Sequence, residues 1–145
     1  MKTRELVNNW LMEFCHDKGI SHLELDTNGI CAIHYSDALE CVLECPSEAE
    51  VLYFYAPMGA IQQLGKDVFT QVLKANFFCL ETHGATFCID PSGERILLCY
   101  PQPTPLLDSI SFGNVLENFL EIALVWYNRL NGIEEPEPEA FGQKV

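Results

Sequence analysis

The chain has 145 residues, 21 of them acidic against 8 basic, a formal net charge of −13, and 48% hydrophobic residues. That hydrophobic share excludes wholesale disorder, and a single domain of this length buries roughly 68–70% of its unfolded surface without help from disulfides or metal. The acidic excess repels phosphate backbones and anionic membrane surfaces, which are bound through Lys and Arg, so it argues against nucleic acid and membrane as partners.

In the opening MKTRELVNNWLMEF, Glu5, Asn8, Asn9 and Glu13 interrupt the apolar residues. No signal-peptide core follows, and no run in the chain approaches the ~20 apolar residues needed to cross a bilayer. Thr3 can cap a first helix in which Leu6, Val7, Trp10, Leu11 and Phe14 recur on one face, with Gly19 as its stop. HLEL, ICAIHY, ECVLEC and VLYFYA then read as strands. A second helix is expected from about Ala60 to Ala75, with Asn76 as its cap.

FFCLET, TFCID and RILLCY are three more strand candidates, and DPSGE joins the last two in a hairpin. Pro91 presets φ there and Gly93 tolerates positive φ. Pro101, Pro103 and Pro105 are expected to end the sheet, because proline has no N–H for a ladder. Ser111 can cap a third helix running to Leu130, closed by Gly132. Residues 133–145 hold four glutamates and two prolines within a short run and read as a solvated acidic tail. The pattern is one α+β domain over residues 1–132, helix–strands–helix–strands–helix, with an antiparallel twisted sheet packed against helices.

The side chains offer little chemistry. The seven cysteines at 15, 31, 41, 45, 79, 88 and 99 read as reduced packing residues of a cytoplasmic protein, and Cys41 and Cys45 lack the C-x-x-C spacing. His16, His22, His34 and His83 have no metal-site spacing. Glu117 and Glu121 share a helix face, as a solvated outer face also requires. No phosphate-binding loop, nucleophile elbow or dinucleotide fingerprint is present, so no catalytic residue, metal or cofactor is assigned. What the sequence does supply is apolar residues beyond the evident needs of two layers, which either fill the core or line grooves for another chain.

The segment LKANFFCLETHGATFCIDPSGERILLCYPQP, followed by the helix FGNVLENFLEIALVWYNRL, resembles the class I chaperones of bacterial type III secretion, the group that includes the Tir chaperone. The likeness in element order, acidity and hairpin covers residues 1–132. It implies a bacterial, cytoplasmic, non-enzymatic homodimer that binds the N-terminal segment of a secreted effector and keeps it partly unfolded. It points to Val68, Phe69, Val72, Phe77, Phe78, Leu80, Phe87 and Ile89 for the dimer interface. For effector binding it points to Val7, Leu11, Leu23, Leu25, Ile30, Ile33 and Val42. A secretion-apparatus ATPase is a further partner on the same grounds. The alternatives are an adaptor of the same fold that binds a folded partner, and a small thiol- or metal-dependent enzyme.

Overall fold

The computed structural model describes residues 2–133. Helix α1 spans Thr3–Lys18 and stops at Gly19, whose φ of 67° is the left-handed conformation that a glycine adopts without strain. Strands β1 (Ile30–His34), β2 (Glu40–Glu44) and β3 (Val51–Ala60) follow, then the short α2 (Ile61–Leu64) and α3 (Val68–Ala75). A 3₁₀ turn at Phe77–Cys79 leads to β4 (Thr86–Ile89) and β5 (Arg95–Pro103), and α4 (Ser109–Leu130) completes the fold. The five strands form one antiparallel sheet in the order β1-β2-β3-β5-β4.

The inner face of the sheet carries Cys41 and Leu43 from β2, Leu52, Phe54, Ala56 and Met58 from β3, and Ile96 and Leu98 from β5, all buried. Phe54 is central: its ring lies 6.1 Å from that of Phe112 and 6.0 Å from that of Phe119, both on α4. Trp10 of α1 meets Phe112 at 5.6 Å, which joins the two long helices over the sheet. Trp126 packs edge-on against Phe87 of β4 at 5.2 Å and donates its indole N–H to the Glu81 carbonyl, so this large ring is buried without an orphaned donor. Gly29 has a φ of 81°, and any Cβ there would collide with the Cys45 carbonyl and the Arg4 guanidinium. The same guanidinium donates to the carbonyls of Thr27, Asn28 and Cys45, tying the start of α1 to the entry of the sheet.

Several local expectations need correction. HLEL is not a strand: residues 20–26 run irregularly, and the Leu25 N–H donates to the Asn8 side chain at 2.8 Å, so its backbone is satisfied by α1 instead of by a ladder. The helix expected over 60–75 is broken at Gly65, whose φ of 97° lies outside helical space. FFCLET is likewise no strand, because Phe78 and Cys79 take positive φ (56° and 53°) and fold the chain into a tight turn. Strand β5 continues through Pro101 and Pro103. The Thr104 N–H bonds the Glu50 carbonyl beside β3, so even-numbered N–H groups point to β3 and the prolines face the side where β4 has already ended.

The cap of α4 is Asp108 in place of Ser111. Its carboxylate accepts from the Ser111 N–H at 2.8 Å, while Ser111 Oγ accepts from the Asp108 N–H. DPSGE does form the β4–β5 hairpin. Asp90 Oδ1 accepts from Ser92 Oγ and from the N–H groups of Glu94 and Arg95, and Oδ2 pairs with the Arg95 guanidinium at 2.9 Å. These partners favour the charged form and hold the Asp90 carboxyl far below the ordinary carboxylate range. The acidic tail from residue 134 onward lies outside the described residues.

Candidate docking surfaces

Among the described residues, a run of exposed apolar side chains lies on α3 and the turn after it. Leu73 is 67% exposed, Phe77 69%, Phe78 75% and Leu80 71%; Phe69 of α3 and Ile89 at the end of β4 are exposed as well. Phe69, Leu73 and Phe77 recur every four residues, so α3 and its exit carry one apolar stripe along a single side. Val68, Val72 and Ala75 on the opposite side are buried. The rings of Phe77 and Phe78 stand 4.2 Å apart and present a joint aromatic surface, positioned by the left-handed turn. Asn76 fixes this unit to the sheet: its side-chain amide donates to the Phe87 carbonyl and its Oδ1 accepts the Phe87 N–H. That pair of bonds occupies the outward backbone groups of Phe87, which an edge strand would otherwise leave open.

Of the residues expected at the dimer interface, Phe69, Phe77, Phe78, Leu80 and Ile89 are exposed, whereas Val68, Val72 and Phe87 belong to the core behind them. Leu73 was missing from that set, although its position midway between Phe69 and Phe77 marks it in the sequence.

The residues expected to bind an effector do not form one patch. Val7 and Leu11 on the apolar side of α1, Leu25 in the segment after it and Ile33 on the inner face of β1 are all buried in the core. Leu23 is half-buried against the same core. Ile30 and Val42 point the other way, to the outer face of the sheet, where Val42 pairs with Tyr55. There Tyr53, Tyr55, Leu97 and Cys99 line an open groove of about 470 Å³, with Glu44 and the Asp90–Arg95 pair at its rim. The Tyr55 hydroxyl donates to Glu44 at 3.1 Å, and burial together with that bond pushes the phenol up to about 12. Sequence patterning missed this face because its tyrosines alternate with core residues of the same strand.

The groups available for catalysis are sparse. Burial pushes the Cys31 thiol up to about 11 and the Cys41 thiol higher still, which makes both inert as nucleophiles at neutral pH. Among the described residues no cluster of His, Cys, Asp or Glu has the geometry of a metal site, and no helix is long and apolar enough to cross a membrane.

Comparison with known proteins bears on these surfaces. Searching curated proteins returns no match. Among solved structures, a chain in the crystal structure of the ExsC–ExsE complex is similar with a TM-score of 0.77 and 25% identity, covering 90% of this chain and 97% of that one. A chain of the HopA1–SchA chaperone–effector complex gives 0.71 at 15% identity over 87% of this chain and 96% of that one. The Yersinia pestis type III secretion chaperone SycH, in complex with a stable fragment of YscM2, gives 0.62 at 18% identity over 82% and 98%. At the last two identities the likeness is one of fold. The family model of the Tir chaperone protein (CesT) family matches residues 9–126, and the chain belongs to that family.

Proposed function

We propose that this protein is a type III secretion chaperone that binds the N-terminal segment of a secreted effector and keeps it soluble and partly unfolded. Membership of the Tir chaperone family over residues 9–126 carries the reading. A structural relative in a chaperone–effector complex, and a second that is a type III secretion chaperone holding a fragment of YscM2, support it. The exposed stripe of Phe69, Leu73 and Phe77, with Phe78, Leu80 and Ile89, is the surface on which two copies associate, and Val68, Val72 and Phe87 hold it rigid from behind.

Client contact in this reading falls to Ile30 and Val42 on the outer sheet face, with Leu23 at the edge of the core. Val7, Leu11, Leu25 and Ile33 act through packing beneath. Binding an extended segment costs about 2–5 kcal/mol or more in ordering, so many apolar and main-chain contacts must be made together. The charge of −13 keeps a protein with so much exposed apolar surface dispersed in solution. Its work is binding, in the cytoplasm, without chemistry.

The test is co-expression with a secreted protein encoded beside it, followed by limited proteolysis of the purified complex. Protection of an N-terminal stretch of the partner, with the rest of that partner cleaved as before, is the expected result. Binding only to the partner's folded C-terminal domain would instead indicate an adaptor.

A further inference from the structure

Four of the seven cysteines are buried, and the other three, Cys79, Cys88 and Cys99, gather around strand β4. In the β4–β5 ladder Thr86 lies opposite Cys99 and Cys88 opposite Leu97. Side chains alternate along a strand, so Cys88 and Cys99 project from the same, outer face as diagonal neighbours. Cys88 is exposed and Cys99 is partly so. Cys79 approaches from the preceding turn, its sulfur 3.6 Å from Thr86 Oγ1.

We infer that Cys88 and Cys99 are a reversible thiol pair that closes to a disulfide on exposure to a low-molecular-weight disulfide of the glutathione class, pinning the edge strand to β5. In the first step the Cys88 thiolate attacks one sulfur of the small disulfide, giving a mixed disulfide and one small thiolate, which takes up a proton. Cys99 then loses its proton to solvent, and its thiolate attacks the Cys88 sulfur and expels the second small thiolate, which takes up a proton from solvent. Two protein thiols are oxidised to one disulfide, and one small disulfide is reduced to two thiols.

The electrostatics suit this order of events. The interaction between the two neighbouring side chains lowers the Cys88 thiol and raises that of Cys99, which burial raises further. An exposed, low-pKa thiol beside a resolving thiol is the arrangement of redox-responsive cysteines.

Geometry makes the bridge a switch instead of a permanent staple. Diagonal positions in a flat sheet lie about 7–8 Å apart, just beyond the ~4.4–6.8 Å between Cα atoms that a relaxed disulfide spans. Closing it requires β4, only four residues long and at the edge of the sheet, to shift or twist along β5, to which it is already paired. Strained, exposed disulfides are the readily reduced ones. Cys99 also lines the outer-face groove beside Tyr55, so closure reshapes one wall of that groove.

The purified, folded protein is treated with oxidised glutathione, quenched by alkylation and digested after Arg95 and Glu81, which separates all three cysteines. The expected result is a fragment pair joined through Cys88 and Cys99, with loss of both free thiols and full recovery on adding reduced glutathione. Cys79→Ser retains the bridge. Cys88→Ser abolishes it, and Cys99→Ser leaves glutathione held stably on Cys88. Wild-type protein that stops at the glutathione adduct, links Cys79 instead, or leaves Cys88 unmodified while the unfolded chain reacts would overturn the inference.

Discussion

Helices α4 and α3 are both rich in apolar residues and end in opposite situations. On α4, Phe112, Leu116, Phe119, Leu120, Ala123 and Trp126 are all buried, and the chain itself supplies what covers them. On α3 the buried side is Val68, Val72 and Ala75, while Phe69 and Leu73 on the other side, and Phe77 just beyond, face solvent. Isolated helices of eight residues are marginal in water, so α3 depends on tertiary contacts at its buried side and at Asn76. Burial thus separates a helix that is covered within the monomer from one whose second side stays uncovered in it.

The strongest way to break the contrast is at the centre of the α4 side. Phe54→Ala empties the space between Phe112, Phe119 and Tyr100, and should cost about 3–5 kcal/mol in denaturant unfolding. On the α3 side the expectation is different in kind. Leu73→Asp with Phe77→Asp should leave far-UV circular dichroism unchanged yet weaken self-association by about 30-fold or more, corresponding to about 2 kcal/mol. Loss of the fold itself in that double variant would show that the stripe belongs to the core.

A smaller effect sharpens the role of the hairpin. The folded-state pKa of Asp90 is depressed, so its contribution to stability is present above the ordinary carboxylate pKa of about 4 and is lost as pH falls below it. Wild-type thermal stability should therefore decline on acidification more steeply than that of Asp90→Asn. The smallest change is expected at the surface pair Lys18–Glu117, 2.9 Å apart, which links α1 to α4: Glu117→Gln should shift stability by about 0.5 kcal/mol or less.

The long periodic elements were legible in the residues. Helices α1 and α4, the strands β1 to β3 and the DPSGE hairpin all follow from spacing and turn chemistry. What patterning missed was decided by tertiary or backbone geometry. HLEL alternates like a strand, but Asn8 takes its N–H and the sheet begins at Ile30. FFCLET has strand composition, yet two left-handed residues turn it outward. The side-chain assignments suffered most, because alternation and helical phase identify faces without saying which face is covered. Val7 and Leu11 occupy the apolar face of α1, and that face is the core. Leu73 belongs to a stripe readable from positions 69, 73 and 77, once Gly65 is known to start α3 afresh.

The central question is whether the uncovered side of α3 joins two copies of the chain. Light-scattering mass across a size-exclusion peak, on the purified protein alone at micromolar concentration, tests this most directly. The expected mass is twice the 16.4 kDa of one chain, collapsing to a single chain in the Leu73→Asp, Phe77→Asp variant. A wild-type mass of one chain, unchanged by the double substitution, would contradict it.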